Sequence, residues 1–285
     1  MKSRIYNVWF LTPLVIIYTV IFIFPTIISF FFSMTIWTLT DFRFAGLYNF
    51  KTFFSEYSLR IGVQNTLLYA VLTCGFKAVF GLGLAVLLTS SIKTKHIIRS
   101  ILFFPNLVST IAVGLTFSAL MHPTRGLFNT LLAGLGIAGP DWLGNTSIAL
   151  LSVIMTDVWK GVGVATVIYI AGLQAIPETY YEAASIDGAG GFQRFKNITL
   201  PLVRSSINTV IILAFIGGIR TFDLIWTMTK GGPGFATDTM ASIIYKQYAY
   251  GFYGLSTAGN VVMLIMIGLI VFPLYNFLIR REVEI

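Results

Sequence analysis

Five charged side chains interrupt otherwise apolar stretches of this sequence: Lys77, Asp157, Lys160, Arg220 and Asp223. An ionisable group in such a setting is costly, and its default meaning is a solute or ion pathway. Pairing is the competing meaning. Asp157 and Lys160, like Arg220 and Asp223, are three residues apart, so each pair can neutralise itself along one helical face. Arg220 and Asp223 also fall near the end of an apolar run, where long side chains reach water. Lys77, Lys160 and Arg220 leave room for an anionic ligand, while the two acids leave the sign of the charge open. Other chemistry is sparse. Cys74 is the single cysteine, so neither a disulfide nor a cysteine-based metal site can form within the chain. The two histidines, His96 and His122, read as lying near opposite faces of a bilayer. No catalytic set and no metal-binding set stands out, and no GxxxxGK[ST] run supplies a phosphate-binding loop.

The elements that must position these groups follow from composition. The chain has 285 residues, 56% of them apolar and 11% charged. Soluble domains carry about 25% charged residues, so this chain cannot cover itself with a polar surface, and lipid is its expected solvent. The net charge of +8 does not read as nucleic-acid binding. Its basic residues gather at the ends of apolar runs rather than in a stripe interleaved with aromatics. Six runs reach the roughly 20 residues that a bilayer core requires: 8–33, 62–91, 100–121, 147–174, 205–228 and 256–279. The expected fold is an all-α integral membrane protein with about six transmembrane helices. The first run follows Lys2 and Arg4 but is too long for a signal peptide and lacks a small-residue cleavage site, so it reads as a retained helix.

Six spans put both termini on one side. Lys2, Arg4, Lys93, Lys95, Arg99, Arg194, Lys196, Arg204, Arg280 and Arg281 fall on one set of ends and loops. Arg43, Lys51, Arg60, Arg125, Lys230 and Lys246 fall on the other. The positive-inside rule assigns the richer set to the cytoplasm, with the connection 92–99 as its clearest segment. The outer stretch 37–54 interleaves aromatic and polar residues, and 126–136 and 245–253 read as short interfacial helices. They suit a headgroup-level belt or a dock for an extracellular partner.

The connection 175–204 has the clearest local logic. Pro177 suits the first position of a helix, where its missing N–H costs nothing. Glu178 favours the positive end of the helix dipole. Tyr181 and Ala184 fall on one side, with Glu178 and Glu182 one turn apart on another. Gly188 can end the helix in a left-handed cap. Gly190 and Gly191 permit a tight reversal, residues 192–197 form a second short helix, and Pro201 opens the fifth span. The product is a compact helix–turn–helix knob.

This stretch resembles the EAA loop of binding-protein-dependent ABC importer permeases, whose pattern is Glu-Ala-Ala, three residues, Gly, nine residues, Ile-x-Leu-Pro. Glu182, Ala183, Ala184, Gly188, Ile198, Leu200 and Pro201 occupy every fixed position. Trp159 with Gly161, the run 172–177, Phe222-Asp223-Leu224, 230–234 and 46–50 are similar to the carbohydrate-uptake, maltose-transporter-like subgroup, and the likeness covers nearly the whole chain. The resemblance implies a type I ABC importer permease fold with cytoplasmic coupling helices. An N-terminal helix and outer loop would occupy 1–61, the permease core 62–279, and a cytoplasmic tail 280–285. It implies a transport subunit, not an enzyme, that moves a neutral or acidic sugar or oligosaccharide by alternating access. This chain would bind no cofactor. ATP and Mg would sit on two partner ATP-binding subunits. A second homologous permease and an extracellular or periplasmic solute-binding protein would complete the system in the lipid of a bacterial or archaeal cytoplasmic (inner) membrane. Glu182 would accept a charge-assisted hydrogen bond in a cleft of the ATPase subunit. Ala183 and Ala184 would keep that contact thin and Gly188 would make the turn, with Asp187, Ile198, Leu200 and Pro201 completing the coupling element.

By the same resemblance, Asp157, Gly161 and Val164 on the fourth span and Ala214, Gly218 and Thr221 on the fifth line a solute pathway at the midplane, each trio on one helical face. Lys160, Arg220 and Trp159 join that set. Only Asp157 and Thr221 of the six are polar, where the family pattern favours amide, hydroxyl and aromatic groups. Either the cavity is wider or the partner permease holds most of the solute. Trp159, Tyr169, Phe222 and Trp226 supply aromatic faces of the kind that grip sugars. An ion-coupled secondary transporter acting without an ATPase is the alternative. It predicts inverted repeats and broken helices at the midplane, and no clear repeat is present.

Overall fold

The computed structural model describes residues 8–90 and 93–280. Lys2, Arg4, Arg281, the first residue of the 92–99 connection and tail residues 281–285 lie outside the described residues. In chain order the helices begin with α1 (Trp9–Ser33). A short antiparallel hairpin follows, β1 (Thr35–Trp37) and β2 (Phe42–Phe44), in register Thr35↔Phe44 to Trp37↔Phe42. It is a small β element in a fold expected to be all-α. Next come α2 (Tyr48–Ser55), α3 (Tyr57–Thr89), α4 (Lys95–Leu107), α5 (Thr110–Leu120), α6 (Leu127–Gly134) and α7 (Ala149–Gln174). The chain continues through α8 (Glu178–Ile186), α9 (Gly191–Leu202), α10 (Arg204–Ile219), α11 (Asp223–Met228), α12 (Met240–Ala249) and α13 (Tyr253–Ile279).

Four helices, α1, α3, α7 and α13, are each long and apolar enough to cross a membrane, and the bent pairs α4–α5 and α9–α10 raise the number to six if each is one span. The bends revise two expectations. The run 100–121 is not one straight helix: α4 and α5 meet at 98°. Pro105, inside α4, cannot donate to the helical ladder and crowds the preceding turn, and Val108 (φ −78°, ψ 140°) is already extended. The run 205–228 also divides. α10 ends at Ile219, and 223–228 is a separate helix that packs on α5. Asp223 opens that short helix, where an acid is favoured by the dipole. Pro201 does not open the fifth span; it lies within α9, before a 65° bend into α10. The interfacial stretches 126–136 and 245–253 do contain short helices, α6 and α12, the latter starting earlier than expected.

The described residues fall into two compact units. One runs up to Arg60 and includes Ile243–Ile265. Within it, the Asn49 amide donates to the Ser33 and Thr35 carbonyls at 2.9 and 2.7 Å, which pins α2 to the start of the hairpin. Trp37 stacks on Phe32 at 4.4 Å and meets Tyr253 at 5.1 Å. The apolar window of α1 has no buried residue, as expected of a helix whose solvent is lipid or a partner span.

The other unit holds 61–242 and the chain from Met266 onward. α7 is its most buried span. One apolar core gathers Tyr69, Val113, Val153, Ile154, Leu224 and Ile225; a second gathers Ala85, Leu88, Ala165, Tyr169, Val203 and Val210. α4 approaches α7 so closely at Gly163 that a Cβ there would strike the Leu102 backbone. The loop 229–239 is ordered by polar bonds. The Asn65 amide donates to the Phe235, Ala236 and Asp238 carbonyls, and the Met240 N–H donates to the Thr66 hydroxyl at 2.8 Å.

Candidate functional site

Two features of the second unit can carry function. The first is a cavity of about 190 Å³ walled by α3, α4, α7 and α10, whose lining includes Lys77, Asn106, Gly161, Val164, Ile168 and Ala214. Lys77 is the charged residue of that lining. Its ammonium donates to Asp157 Oδ2 at 2.8 Å, and the two side chains are only 12% and 19% exposed. Asp157 therefore pairs across helices and not with Lys160 on its own helix. The Lys160 ammonium instead donates to the Asn106 carbonyl at 3.4 Å, at the C-terminal end of α4, where the helix dipole favours a cation. Arg220 and Asp223 are both exposed, and neither takes part in an ion pair among the described residues.

Gly161 earns its place through Lys77. A Cβ at Gly161 would come within 2.7 Å of Lys77 Cε, so the bare backbone there is the shelf on which the lysine stem lies. The fully buried Tyr69 side chain neighbours both Asp157 and Thr221. The structure thus brings Gly161, Val164 and Ala214 to one cavity, and connects Asp157 to it through Lys77. Gly218 faces α3, where a Cβ would meet Ala70 Cα at 2.6 Å. Trp159 is 46% exposed and packs on Phe117 with centroids 5.0 Å apart. Arg220, Thr221, Lys160 and Trp159 are not part of the lining. Tyr169 is buried in the second core, and Phe222 and Trp226 stack on each other at 5.6 Å. Sequence reasoning noticed the Lys77 charge but not its partner, 80 positions away. It also passed over Asn106, whose signal is an amide directly after Pro105 in an apolar run.

The second feature is the knob between α7 and α10. Pro177 is the N-cap of α8 (φ −60°, ψ 136°), one position before the helix proper. α8 ends in a left-handed turn: Gly188 has φ +75°, and no atom lies within 4 Å of a Cβ built there. The Gly188 and Ala189 N–H groups donate to the Ser185 and Ala184 carbonyls, which closes the cap. The reversal is completed at Gly190, whose N–H donates to Gln193 Oε1 at 2.9 Å and caps α9. Two side-chain bonds tie the helices together. The Tyr181 and Thr199 hydroxyls are 2.9 Å apart, and Arg194 donates to the Ser185 hydroxyl at 3.0 Å. Glu182, Ala183, Asp187 and Gly188 are exposed and Ala184 is half-buried. Ile198 and Pro201 are half-buried at the base, and Leu200 is on the exposed side. Ile186 and Phe192, 87% and 77% exposed, flank the turn. Neither was singled out from sequence, although two large apolar residues beside a glycine turn are a readable sign of a contact surface.

Comparison with known proteins gives the family and fold of the chain. Residues 77–283 match the family model of the binding-protein-dependent transport system inner membrane component. The chain is 33% identical to the trehalose/maltose transport system permease protein MalF of Thermococcus litoralis, over 90% of this chain and 87% of that one. It is 32% identical to the sulfoquinovosyl glycerol transport system permease protein SmoG of Agrobacterium fabrum, over 86% of this chain and 80% of that one. Its fold matches a chain of a bacterial ABC transporter involved in the import of the acidic polysaccharide alginate, with a TM-score of 0.83 at 22% identity, covering 95% and 96% of the two chains. These likenesses agree with a type I importer permease fold and leave the ion-coupled alternative without support, even though α4–α5 is a broken helix of the sort it predicts.

Proposed function

We propose, from the premise that this chain belongs to the family of inner membrane components of binding-protein-dependent transport systems, that its cargo is a sugar or oligosaccharide. The chain is a membrane-spanning transport subunit of an inner membrane. ATP hydrolysis falls to two separate ATP-binding subunits, which carry the ATP and Mg. A second homologous permease supplies the other half of the pathway, and a solute-binding protein delivers cargo from outside. Both termini lie in the cytoplasm. Residues 1–61 serve as the outer-loop and first-helix segment, 62–279 as the permease core and 280–285 as the tail.

One observation carries the reading: the exposed knob joins α7 directly to α10, and both helices wall the cavity. Its internal hydrogen bonds make it a rigid lever. In our reading Glu182, Ala183, Ala184, Asp187 and Gly188 enter a cleft on an ATPase subunit, with Ile186 and Phe192 as apolar contacts beside them. Ile198, Leu200 and Pro201 form the hinge base. Closure of the ATPase pair draws two such knobs together, and α7 and α10 pass that motion to the cavity with almost no slack chain between. Gly161, Val164 and Ala214 act as pathway wall, and Asp157 acts through Lys77. Gly218, Thr221, Lys160, Arg220 and Trp159 support the wall from behind or at its rim. The names of the relatives, which mention trehalose, maltose, sulfoquinovosyl glycerol and alginate, support carbohydrate cargo.

The test is purification of the tagged chain in mild detergent with its own membrane partners, then uptake of labelled oligosaccharides into proteoliposomes. The expected outcome is recovery of a second permease and an ATPase subunit, with uptake that requires ATP and the binding protein. A solitary chain that moves solute on an ion gradient alone would overturn the proposal.

A further inference from the structure

The cavity wall carries a charge whose neutralisation is built in. Lys77 reaches the lining from α3, and its stem is held against the Gly161 backbone. A lone ammonium at that place would attract carboxylate, phosphate or sulfonate groups. Asp157 from α7 meets it at 2.8 Å. The other nearby cation, Lys160, does not line the cavity and is engaged at the Asn106 carbonyl. The Tyr69 side chain beside Asp157 adds a hydroxyl, not a charge. We infer that the Lys77–Asp157 pair is a specificity device that keeps the cavity charge-balanced, so that the pathway of this chain favours neutral carbohydrate over acidic carbohydrate.

This inference rests on the carbohydrate reading above and sharpens it, since the relatives' names include both neutral disaccharides and an acidic polysaccharide. An ammonium has three N–H donors, and Asp157 takes one, so Lys77 can still offer hydrogen bonds to sugar hydroxyls. Asn106 adds neutral polar capacity on the same wall. An acidic cargo would have to compete with Asp157 for Lys77, and the displaced carboxylate would lose its partner in a mostly buried place. Removing a partner from a buried pair is far more costly than replacing both. Asp157 is thus a counter-ion that excludes acids, and Lys77 is the donor it leaves available. Gly161 keeps the two in register.

The test reads the cavity charge without needing the cargo. Ala214→Cys places a thiol on the lining, in a Cys74→Ala background, within the assembled transporter in detergent with cysteine-free partners. The probes are a small anionic and a small cationic methanethiosulfonate, and the measured quantity is the ratio of their modification rates. Asp157→Asn should raise the anionic-to-cationic ratio on the order of tenfold, because one uncompensated charge acts across a few ångströms of partly buried space. Lys77→Gln should lower it by a similar factor. The Lys77→Gln/Asp157→Asn double variant should return it to the starting value. If Asp157→Asn fails to assemble, Lys77→Gln and the double variant still decide. An unchanged ratio in the single variants, or shifts of the same sign in both, would overturn the inference. The ratio is independent of transport, so a chain that proves not to import carbohydrate would fail the uptake test while leaving this readout intact.

Discussion

The knob and the cavity are built by opposite means. The knob is local: every bond that shapes it joins residues within the single stretch 177–203, from the Gly188 cap to the Tyr181–Thr199 and Arg194–Ser185 contacts. The cavity is assembled from four helices, and its central ion pair joins residues 80 positions apart. Glycine makes the contrast concrete. Gly188 is required by its backbone angle and has empty space around it, while Gly163 has an ordinary helical backbone and no space at all. In the proposed function the knob is a lever, which needs a fixed shape that a partner can grip, and the cavity is a pathway wall, which needs close helix approach so that small shifts of α7 and α10 change its lining.

The contrast can be broken in order of expected effect. Gly163→Val should be the most damaging, because the new side chain meets the Leu102 backbone and overpacking of this kind costs about 3 kcal/mol or more. The readout is the yield of monodisperse transporter, and wild-type yield would mean that α4 can retreat from α7. Asp157→Ala comes next. It strands the Lys77 ammonium in a mostly buried site, which costs about 3 kcal/mol. Thermal unfolding of the complex should show a clear loss, and Lys77→Gln combined with Asp157→Asn should recover much of it. Equal loss in the single and double variants would remove the ion pair from the account of the cavity.

The knob variants should leave the fold alone. Glu182→Ala removes an exposed acid whose hydrogen bond to a partner would be charge-assisted, so docking of the ATPase subunit should weaken by about 2 kcal/mol. Copurified ATPase after a salt wash measures this, and undiminished recovery would move the contact to Ile186 and Phe192. Gly188→Val should have the smallest energetic effect, about 1–2 kcal/mol at a single left-handed residue. Its consequence should be chiefly functional: a small loss of thermal stability and unchanged basal ATP hydrolysis, with uptake reduced because the knob is reshaped. Normal uptake would show that the turn tolerates a right-handed substitute.

Much of the membrane architecture was legible in advance. α1, α3, α7 and α13 follow from apolar length alone. The bends were not anticipated, although Pro105 and Pro201 were visible, because a proline does not by itself say whether a helix ends, kinks or turns by 98°. Packing of α5 and α11 against their neighbours decides that here. Of the two trios that helical spacing puts on single faces, Gly161, Val164 and Ala214 line the cavity while Gly218 packs on α3, a division that spacing could not make. Gly218 and Gly161 are the same residue type on two helices that wall the cavity, but the space beside one is filled by Ala70 and beside the other by the stem of Lys77.

The sequence by itself determined the solvent of this protein, the extent of most of its spans and the form of its helix–turn–helix knob. Those depend on apolar content per turn and on capping rules that act within a few residues. Only the tertiary structure decided that Asp157 answers Lys77 instead of Lys160, that Asn106 and Ile168 share a wall with Ala214, and that Gly163 is a contact between backbones. A charge in a span takes its partner from whichever helix comes within about 3 Å of it. That helix is chosen by packing across the bundle, and no spacing along a single strand of sequence records it.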